Sequence, residues 1–174
     1  ITLTPVEDST VDGNQNVNIS ANATSTDISY NGLSQTTPVT VIDSGTARTV
    51  TLTTTGTTLI NEGTNGTTLS RSLVATLSAT STEATTVTLR PTGTATGGGA
   101  DYTLLSSTIT INAGNTTGST TVNSLGDDVD ESNETIVVDI SGVSGGEGAV
   151  ENSTQTVTFT ITDDDTAGFT VAET

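Results

Sequence analysis

The segment Ile136-Val137-Val138-Asp139-Ile140 decides the fold class, because Ile136, Val138 and Ile140 recur at every second position. A period of two is that of a β-strand, in which successive side chains point to opposite faces. Four further segments show the same alternation, at Leu73, Ala75 and Leu77; Val87 and Leu89; Ile109 and Ile111; and Val157, Phe159 and Ile161. Turn-rich stretches separate them, and no segment has helical spacing. The pattern predicts an all-β sandwich with Greek-key connections.

The composition limits what this sandwich can bind. Twenty acidic residues face three Arg and no Lys, which gives a net charge of -17. This balance excludes nucleic acid and an anionic membrane surface as natural partners, because both need clustered cations. Such a charge with 2% aromatic residues can also indicate disorder. We reject disorder because the apolar residues are periodic and the acids are concentrated at particular points.

The residue types leave little room for catalysis. The chain has no His and no Cys, so it has no Ser-His or Cys-His pair and lacks the preferred ligands of zinc and copper. A carboxylate pair can hydrolyse glycosides, but few aromatic side chains are present to stack on sugar. We therefore expect that the protein is not an enzyme. No long apolar span is present, and we expect no membrane insertion.

An internal repeat predicts the domain organisation. Residues 6–19 align with 125–138, residues 39–45 with 159–165, and residues 50–52 with 169–171, so subtraction of residue numbers gives a period of 119 or 120. We expect a window on a tandem array. Residues 1–45 would be the last strands of a partial repeat, 46–165 a complete repeat, and 166–174 the first strand of the following one.

Two acidic clusters lie at the ends of alternating segments, at 127–134 and 163–165. Like charges gathered at one end of a sandwich repel strongly unless something neutralises them. Because the chain supplies almost no cations, we expect the neutralising charge to come from outside the chain.

Four motifs in order resemble the Calx-beta domain, which occurs in sodium/calcium exchangers and many bacterial surface proteins. They are Thr94-Ala95-Thr96-Gly97-Gly98-Gly99-Ala100-Asp101-Tyr102, Ile109-Thr110-Ile111-Asn112-Ala113-Gly114-Asn115-Thr116, Asp127-Asp128-Val129-Asp130-Glu131-Ser132-Asn133-Glu134-Thr135-Ile136 and Val157-Thr158-Phe159-Thr160-Ile161-Thr162-Asp163-Asp164-Asp165. The resemblance implies an immunoglobulin-like, seven-stranded antiparallel Greek-key sandwich that binds several calcium ions at one end.

The resemblance also implies a set of metal ligands from four segments. They are Glu62, Asp101, Asp127, Asp128, the carbonyl of Val129, Glu131, Glu134, Asp163, Asp164 and Asp165. The exchanger pattern has an acid where this chain has Gly126, which leaves the number of ions open. Ca²⁺ takes six to eight oxygen ligands in irregular geometry, which suits such a set, whereas Mg²⁺ usually takes fewer protein ligands.

The partial repeat keeps few of these acids. Glu7, Asp8, Asp12 and Asp43 remain, and Ser44 and Gly45 stand where the complete repeat has acids. We expect this junction to bind calcium weakly or not at all.

The favoured function is a calcium-stiffened structural repeat of an extracellular surface protein, adhesin or filament, whose partners are calcium ions and adjacent copies or repeats. A second hypothesis is self-assembly, in which the partial repeat and the strand Phe169 to Val171 complement each other between chains. The alternatives from another class are a calcium-dependent module that binds a glycan or cell receptor, and a calcium sensor.

Overall fold

The computed structural model describes residues 2–6, 11–43 and 45–168, and within them it contains β-strands and turns. Two compact units divide the chain, Ile1–Ala47 and Arg48–Thr174. In the described part, no helix is long and apolar enough to span a membrane. The strands are β1 (Gln15–Asn22), β2 (Ser34–Val41), β3 (Thr49–Thr55), β4 (Leu59–Asn61), β5 (Thr68–Leu77), β6 (Thr85–Gly93), β7 (Tyr102–Leu104), β8 (Thr108–Ile111), β9 (Thr117–Leu125), β10 (Glu134–Gly145), β11 (Val150–Glu151) and β12 (Thr156–Thr162).

The second unit is a β-sandwich of two five-stranded sheets. One sheet has the order β4-β12-β10-β6-β8 and the other β11-β3-β5-β9-β7. The described residues of this unit thus form ten short strands, where the resemblance implied seven. Two edge pairs, β4 with β12 and β3 with β11, are parallel rather than antiparallel.

The first strand is divided because the chain changes sheets after β3. Gly56 has a φ of +85°, a left-handed conformation that favours glycine and ends an extended strand. β3 pairs with β5 in one sheet, and β4 then pairs with β12 in the other. This change of sheet brings the end of β4 next to the end of β12, where two of the acidic segments lie.

The core confirms the alternation found in the sequence. The apolar residues at the alternate positions of all five segments are buried in one cluster between the sheets. Phe159, Ile136 and Leu73 are fully buried. The outward positions of the same strands are largely Thr, whose branched side chain suits the exposed surface of a pleated sheet.

Strand β9 gave no clear signal in the sequence. Its inward positions are Thr120, Val122 and Ser124, all buried, and two of the three are polar. The buried hydroxyls of Thr120 and Ser124 donate to the carbonyls of Ser106 and Leu69 at 3.4 Å. Hydrogen bonding thus allows polar side chains at positions where an alternating pattern requires apolar ones.

The described part of the first unit contains one antiparallel hairpin, β1 with β2. No described residue of this unit is buried, and Val17 in the middle of β1 is 48% exposed. Glu7, Asp8, Ser44 and the segment Phe169 to Val171, which figure in the sequence predictions, lie outside the described residues.

Candidate metal centre

Strand ends bring four acidic segments together at one end of the sandwich. Glu62 follows β4, Asp101 precedes β7, residues 126–133 connect β9 to β10, and residues 163–165 follow β12. The backbone ties these segments to one another. The N–H of Glu62 donates to the carbonyl of Thr162 at 2.9 Å, and the N–H of Leu125 donates to the carbonyl of Asp101 at 2.9 Å.

The tightest group consists of Asp101, Glu131 and Glu134. One carboxylate oxygen from each lies within 4.8 Å of the other two. Oxygens bound to one Ca²⁺ at about 2.3–2.6 Å can be separated by at most about twice that distance. The three carboxylates are therefore close enough to share one calcium ion.

Burial and mutual repulsion raise the pKa of two carboxyl groups in this group. The pKa of Glu134 is raised to about 7. Burial is the largest cause, followed by its hydrogen bond to Asp101 and by the charges of Asp101, Glu131 and Glu62. The pKa of Glu131 is also raised, first by burial and then by the charges of Asp101, Asp127 and Asp163. A cation at this position would oppose both effects, because it favours the ionised carboxylate.

Glu62 is a buried carboxylate whose charge interacts with those of Glu131 and Glu134. Its side chain is buried, with only 5% of the residue exposed. Burial raises its pKa most, the charges of Asp127, Glu131 and Asp163 raise it further, and a hydrogen bond from the backbone of Asp127 opposes them. Buried carboxylates are ordinarily paired with a cation or a metal ion.

The second acidic group surrounds Asp165. Its Oδ2 atom is buried and has no hydrogen-bond partner among the described residues. Burial raises the pKa of Asp165 most, followed by the charges of Asp128, Asp163, Asp164 and Asp127. An orphaned carboxylate oxygen among other carboxylates is the environment that a bound cation would satisfy.

Hydrogen bonds fix the orientation of the remaining acids. The carboxylate of Asp164 accepts from the N–H of Gly63 at 3.0 Å and from Nδ2 of Asn61 at 3.2 Å. The carboxylate of Asp128 accepts from the backbone N–H and from Nδ2 of Asn65, both at 3.3 Å. Sequence reasoning missed Asn61 and Asn65 as positioning residues, although Asn61 directly precedes Glu62 and Asn65 lies three residues after it.

Asp127 and Val129 form a tight turn at the start of the loop. Oδ1 of Asp127 accepts from the N–H of Val129 at 2.8 Å. Val129 itself is 54% exposed. Asp130, next to it, is also exposed.

Gly126 has a steric reason to be glycine. A Cβ atom there would lie 2.3 Å from the carbonyl oxygen of Gly63 and 2.6 Å from Oγ1 of Thr67. The backbone of Gly126 is hydrogen-bonded to the same turn, through Thr67 at 3.1 Å and Gly66 at 3.2 Å. The chain therefore has no room for a carboxylate at the position where the exchanger pattern has an acid.

The nine predicted acidic ligands thus gather at one end of the sandwich, in two adjoining groups. Neighbouring carboxylates are the only charges that contribute to the raised pKa values in this site. The affected residues are Glu62, Glu131, Glu134 and Asp165. The arrangement can bind divalent cations through oxygen ligands.

Comparison with known protein families identifies the family of the chain. The family model of the Calx-beta domain matches residues 43–165, which is more than half of the chain. The chain belongs to the Calx-beta domain family. The Calx-beta domain is a calcium-binding β-sandwich module, so a calcium-binding role follows at this coarse level.

A comparison with solved structures matches part of the chain to the apo form of the Calx CBD1 domain. It is 20% identical, covers 67% of this chain and 99% of its own, and has a TM-score of 0.49. Another is a putative carbohydrate binding protein from Bacteroides ovatus ATCC 8483, which is 12% identical and covers 60% of this chain and 34% of its own, with a TM-score of 0.44. A search of curated proteins found no match.

Proposed function

We propose that this Calx-beta chain is a calcium-stiffened structural module of an extracellular surface protein, adhesin or filament, and that it has no catalytic activity. The observation that carries the proposal is the gathering of nine carboxylates from four segments at one end of the sandwich. Their mutual repulsion is balanced only when cations bind. Bound calcium would then hold the four segments together.

The donor set fits calcium. All the candidate side-chain ligands are carboxylates, and Ca²⁺ prefers oxygen ligands and accepts irregular arrangements of six to eight of them. Asp128 and Asp164 are held by Asn65 and Asn61, so they need little reordering to bind an ion. The unpartnered Oδ2 of Asp165 is a ready ligand atom.

Stiffening follows from the place of the site in the chain. Residues 163–165 lie directly after the last strand of the sandwich and lead into residues 166–168. Ions bound by Asp163 and Asp165 would restrict the backbone at the point where a following domain would begin. In a tandem array this restriction would favour an extended rod, and calcium-rich medium outside the cell would keep the sites filled.

Calcium titration of metal-free protein tests the binding. We expect saturable binding by calorimetry, and we expect stabilisation of about 2.7 kcal/mol per site when free calcium is 100 times the dissociation constant. Glu134→Gln and Asp163→Asn should each weaken binding, whereas the matched control Asp130→Asn should not. Unchanged melting temperature on calcium addition would contradict the proposal.

Small-angle scattering tests the stiffening. Two copies of residues 46–165 joined in tandem should become more extended when calcium is added, and Asp165→Asn should reduce the change. A dissociation constant near 10⁻⁴–10⁻³ M agrees with an extracellular module, whereas one near 10⁻⁷–10⁻⁵ M would favour a sensor instead. Binding without extension would also contradict a stiffening role.

A further inference from the structure

The first and last strands of the sandwich run parallel and side by side where β4 meets β12. Strand β4 pairs with the end of β12, from Leu59 opposite Thr160 to Asn61 opposite Thr162. Strands β3 and β4 open the sandwich in the sequence, and β12 closes it. A parallel pair cannot be joined by a short turn, so these two strands are connected only through the whole of the intervening chain. The contact therefore joins the segment that enters the sandwich to the segment that leaves it.

The chain enters and leaves the sandwich at opposite ends. Val50 at the start of β3 pairs with Leu77 at the end of β5. At the other end of β5, Thr68 pairs with Leu125, next to the acidic site. Strand β3 therefore begins at the end remote from the acidic site, whereas β12 finishes beside the site. Tension along the chain would pull β4 towards the remote end and β12 towards the acidic end.

Tension in this direction loads the hydrogen bonds between β4 and β12 in shear. Because these bonds lie across the pulling direction, they share the load and must break together. Strands that are pulled apart from one end instead lose their bonds one at a time. Resistance to force is governed by the unfolding rate, so each bond that must break together with the others adds to the barrier.

Backbone hydrogen bonds continue the pairing at both ends of β4. The N–H of Thr160 donates to the carbonyl of Thr58 at 2.9 Å. The N–H of Glu62 donates to the carbonyl of Thr162, also at 2.9 Å. We call the two connected segments, 58–63 and 160–164, the β4–β12 junction.

Side chains extend this junction towards the acidic site. Oγ1 of Thr162 donates to the carbonyl of Ile60 at 3.2 Å. The carboxylate of Asp164 accepts from the N–H of Gly63 at 3.0 Å and from Nδ2 of Asn61 at 3.2 Å. These bonds supplement a pairing that covers only three residues of each strand. The junction is therefore stronger than the length of β4 suggests.

The entry of β3 is held at the remote end. The carbonyl of Arg48 accepts from the N–H of Val150 at 2.9 Å, where β3 runs parallel to β11. Nε of Arg48 donates to the carbonyl of Thr80 at 2.8 Å. Its guanidinium forms an ion pair with Glu147, and the two side chains are only 10% and 11% exposed. Contacts with three segments thus resist the peeling of β3, which leaves sliding of the terminal strands as the route of extension.

We propose that the sandwich bears tension along the chain and that the β4–β12 junction is its mechanical clamp. The presence of tension rests on the proposed function, a structural module of a surface protein, adhesin or filament. The clamp itself is formed by hydrogen bonds of the chain and needs no cation. Calcium bound by Glu62, Asp163 and Asp165 would add a second link between the same two segments.

Single-molecule force measurements in chelator test the clamp. The chain has no Cys, so introduced cysteines give unique attachment points. Handles on Thr46→Cys and Thr166→Cys, both exposed, apply tension along the strands. Handles on Thr57→Cys and Thr156→Cys, at the starts of β4 and β12, pull the two strands apart from one end. At equal force we expect the first rupture to be about tenfold or more slower along the strands, because several hydrogen bonds must break together.

A conservative variant tests the junction itself. Thr162→Val removes the Oγ1 donor and keeps the shape of the side chain, so the rupture rate along the strands should rise about fivefold. Thr158→Val is the matched control, because Thr158 is exposed on the same face of β12 but lies outside its pairing with β4. It should leave the rate unchanged. A general loss of stability would raise the rate alike in both pulling geometries, whereas the clamp predicts a larger effect of Thr162→Val along the strands.

Equal rupture rates in the two geometries would overturn the proposal, and so would equal effects of Thr162→Val and Thr158→Val along the strands. Added calcium separates the clamp from the function on which it rests. If calcium leaves the rate unchanged while the two geometries still differ, the clamp is supported and calcium stiffening is contradicted. If calcium slows rupture while the geometries do not differ, the clamp is overturned and calcium stiffening is supported.

Discussion

The hairpins β1–β2 and β10–β12 share one register but have opposite burial. Val17 is 48% exposed, whereas its counterpart Ile136 is fully buried under strands of the other sheet. Pairing is specified locally, by the alternation and by the turn, and is the same in both places. Burial depends on the neighbouring strands, and among the described strands only β10–β12 has them.

The acidic turns beside the two hairpins differ in the same way. Hydrogen bonds from the backbone of Gly45 and Gly13 lower the pKa of Asp43. Asp165 stands at the position of Gly45, and burial and four carboxylates raise its pKa. In the first turn, backbone N–H groups stabilise the carboxylate of Asp43. In the second turn, Asp165 lies among other carboxylates, whose repulsion a bound cation would balance. This contrast agrees with the expectation, still untested, that the first turn binds calcium weakly.

Truncation of matched core positions should give the largest difference between the hairpins. We expect Phe159→Ala to destabilise the second unit by about 3–5 kcal/mol and Ile136→Ala by about 2–5 kcal/mol, because both are fully buried. Val39→Ala and Val17→Ala should change stability by about 0.5 kcal/mol or less. Urea unfolding measures all four. A large loss for Val17→Ala would show that the first hairpin is already covered.

Gly126→Ala should have the next largest effect. The added methyl group would overlap the carbonyl of Gly63, so we expect a loss of about 1–3 kcal/mol in thermal or urea unfolding. Gly142→Ala is the control, because no heavy atom lies within 4 Å of a Cβ there. The counterpart of Gly126 is Glu7, outside the described residues. Equal stability of the two variants would mean that the loop is not held against Gly63.

The stability of the metal-free protein should depend on pH with opposite sign at the two acidic regions. The pKa of Glu134 is raised from 4.5 to about 7, so the folded state binds the proton more tightly than the unfolded state. Stability should fall as the pH rises from about 4.5 to 7, by a few degrees in melting temperature. Glu134→Gln or added calcium should flatten this slope. A melting temperature that rises over this range would contradict the electrostatic account.

At Asp43 the sign is reversed. Its pKa is lowered from 3.8, so it stabilises the first turn above that value, and the contribution is lost as the pH falls through the lower, folded-state pKa. Amide chemical shifts of Gly13 and Gly45 should report this change, and Asp43→Asn should abolish it. Shifts that change between pH 5 and 7 instead would argue that the turn behaves like its counterpart.

Asp139→Ser should change the free energy of unfolding least. The substitution places in the second hairpin the residue that the first hairpin has at the equivalent position, Ser20. Asp139 pairs with Nη2 of Arg90 at 2.6 Å, but the Arg90 side chain is 66% exposed. An exposed ion pair contributes about 0.2–1 kcal/mol. The melting temperature in high salt should show no difference from the unsubstituted protein. A larger loss would indicate that Asp139 supports the β6–β10 pairing itself.

The sequence predicted the sandwich and its core well where apolar residues alternate. Every apolar residue at the alternate positions of the five segments is buried, because a strand between two layers must turn one face inward. Strand β9 was missed because Thr120 and Ser124 are polar and buried. The division of the first strand was missed because only the pairing of β4 with β12 reveals that the chain changes sheets at Gly56.

The identity of the acids, their order along the chain and the family to which they point were determined by the sequence alone, since a carboxylate is the same chemical group wherever it folds. Only the tertiary structure decided which of them share a site, because residues far apart in the chain meet at the sandwich end through strand pairing. It also decided that Gly126 leaves no room for a side chain and that Val17 lacks the cover that Ile136 has. Contacts of this kind depend on atoms from distant segments, and no local pattern encodes them.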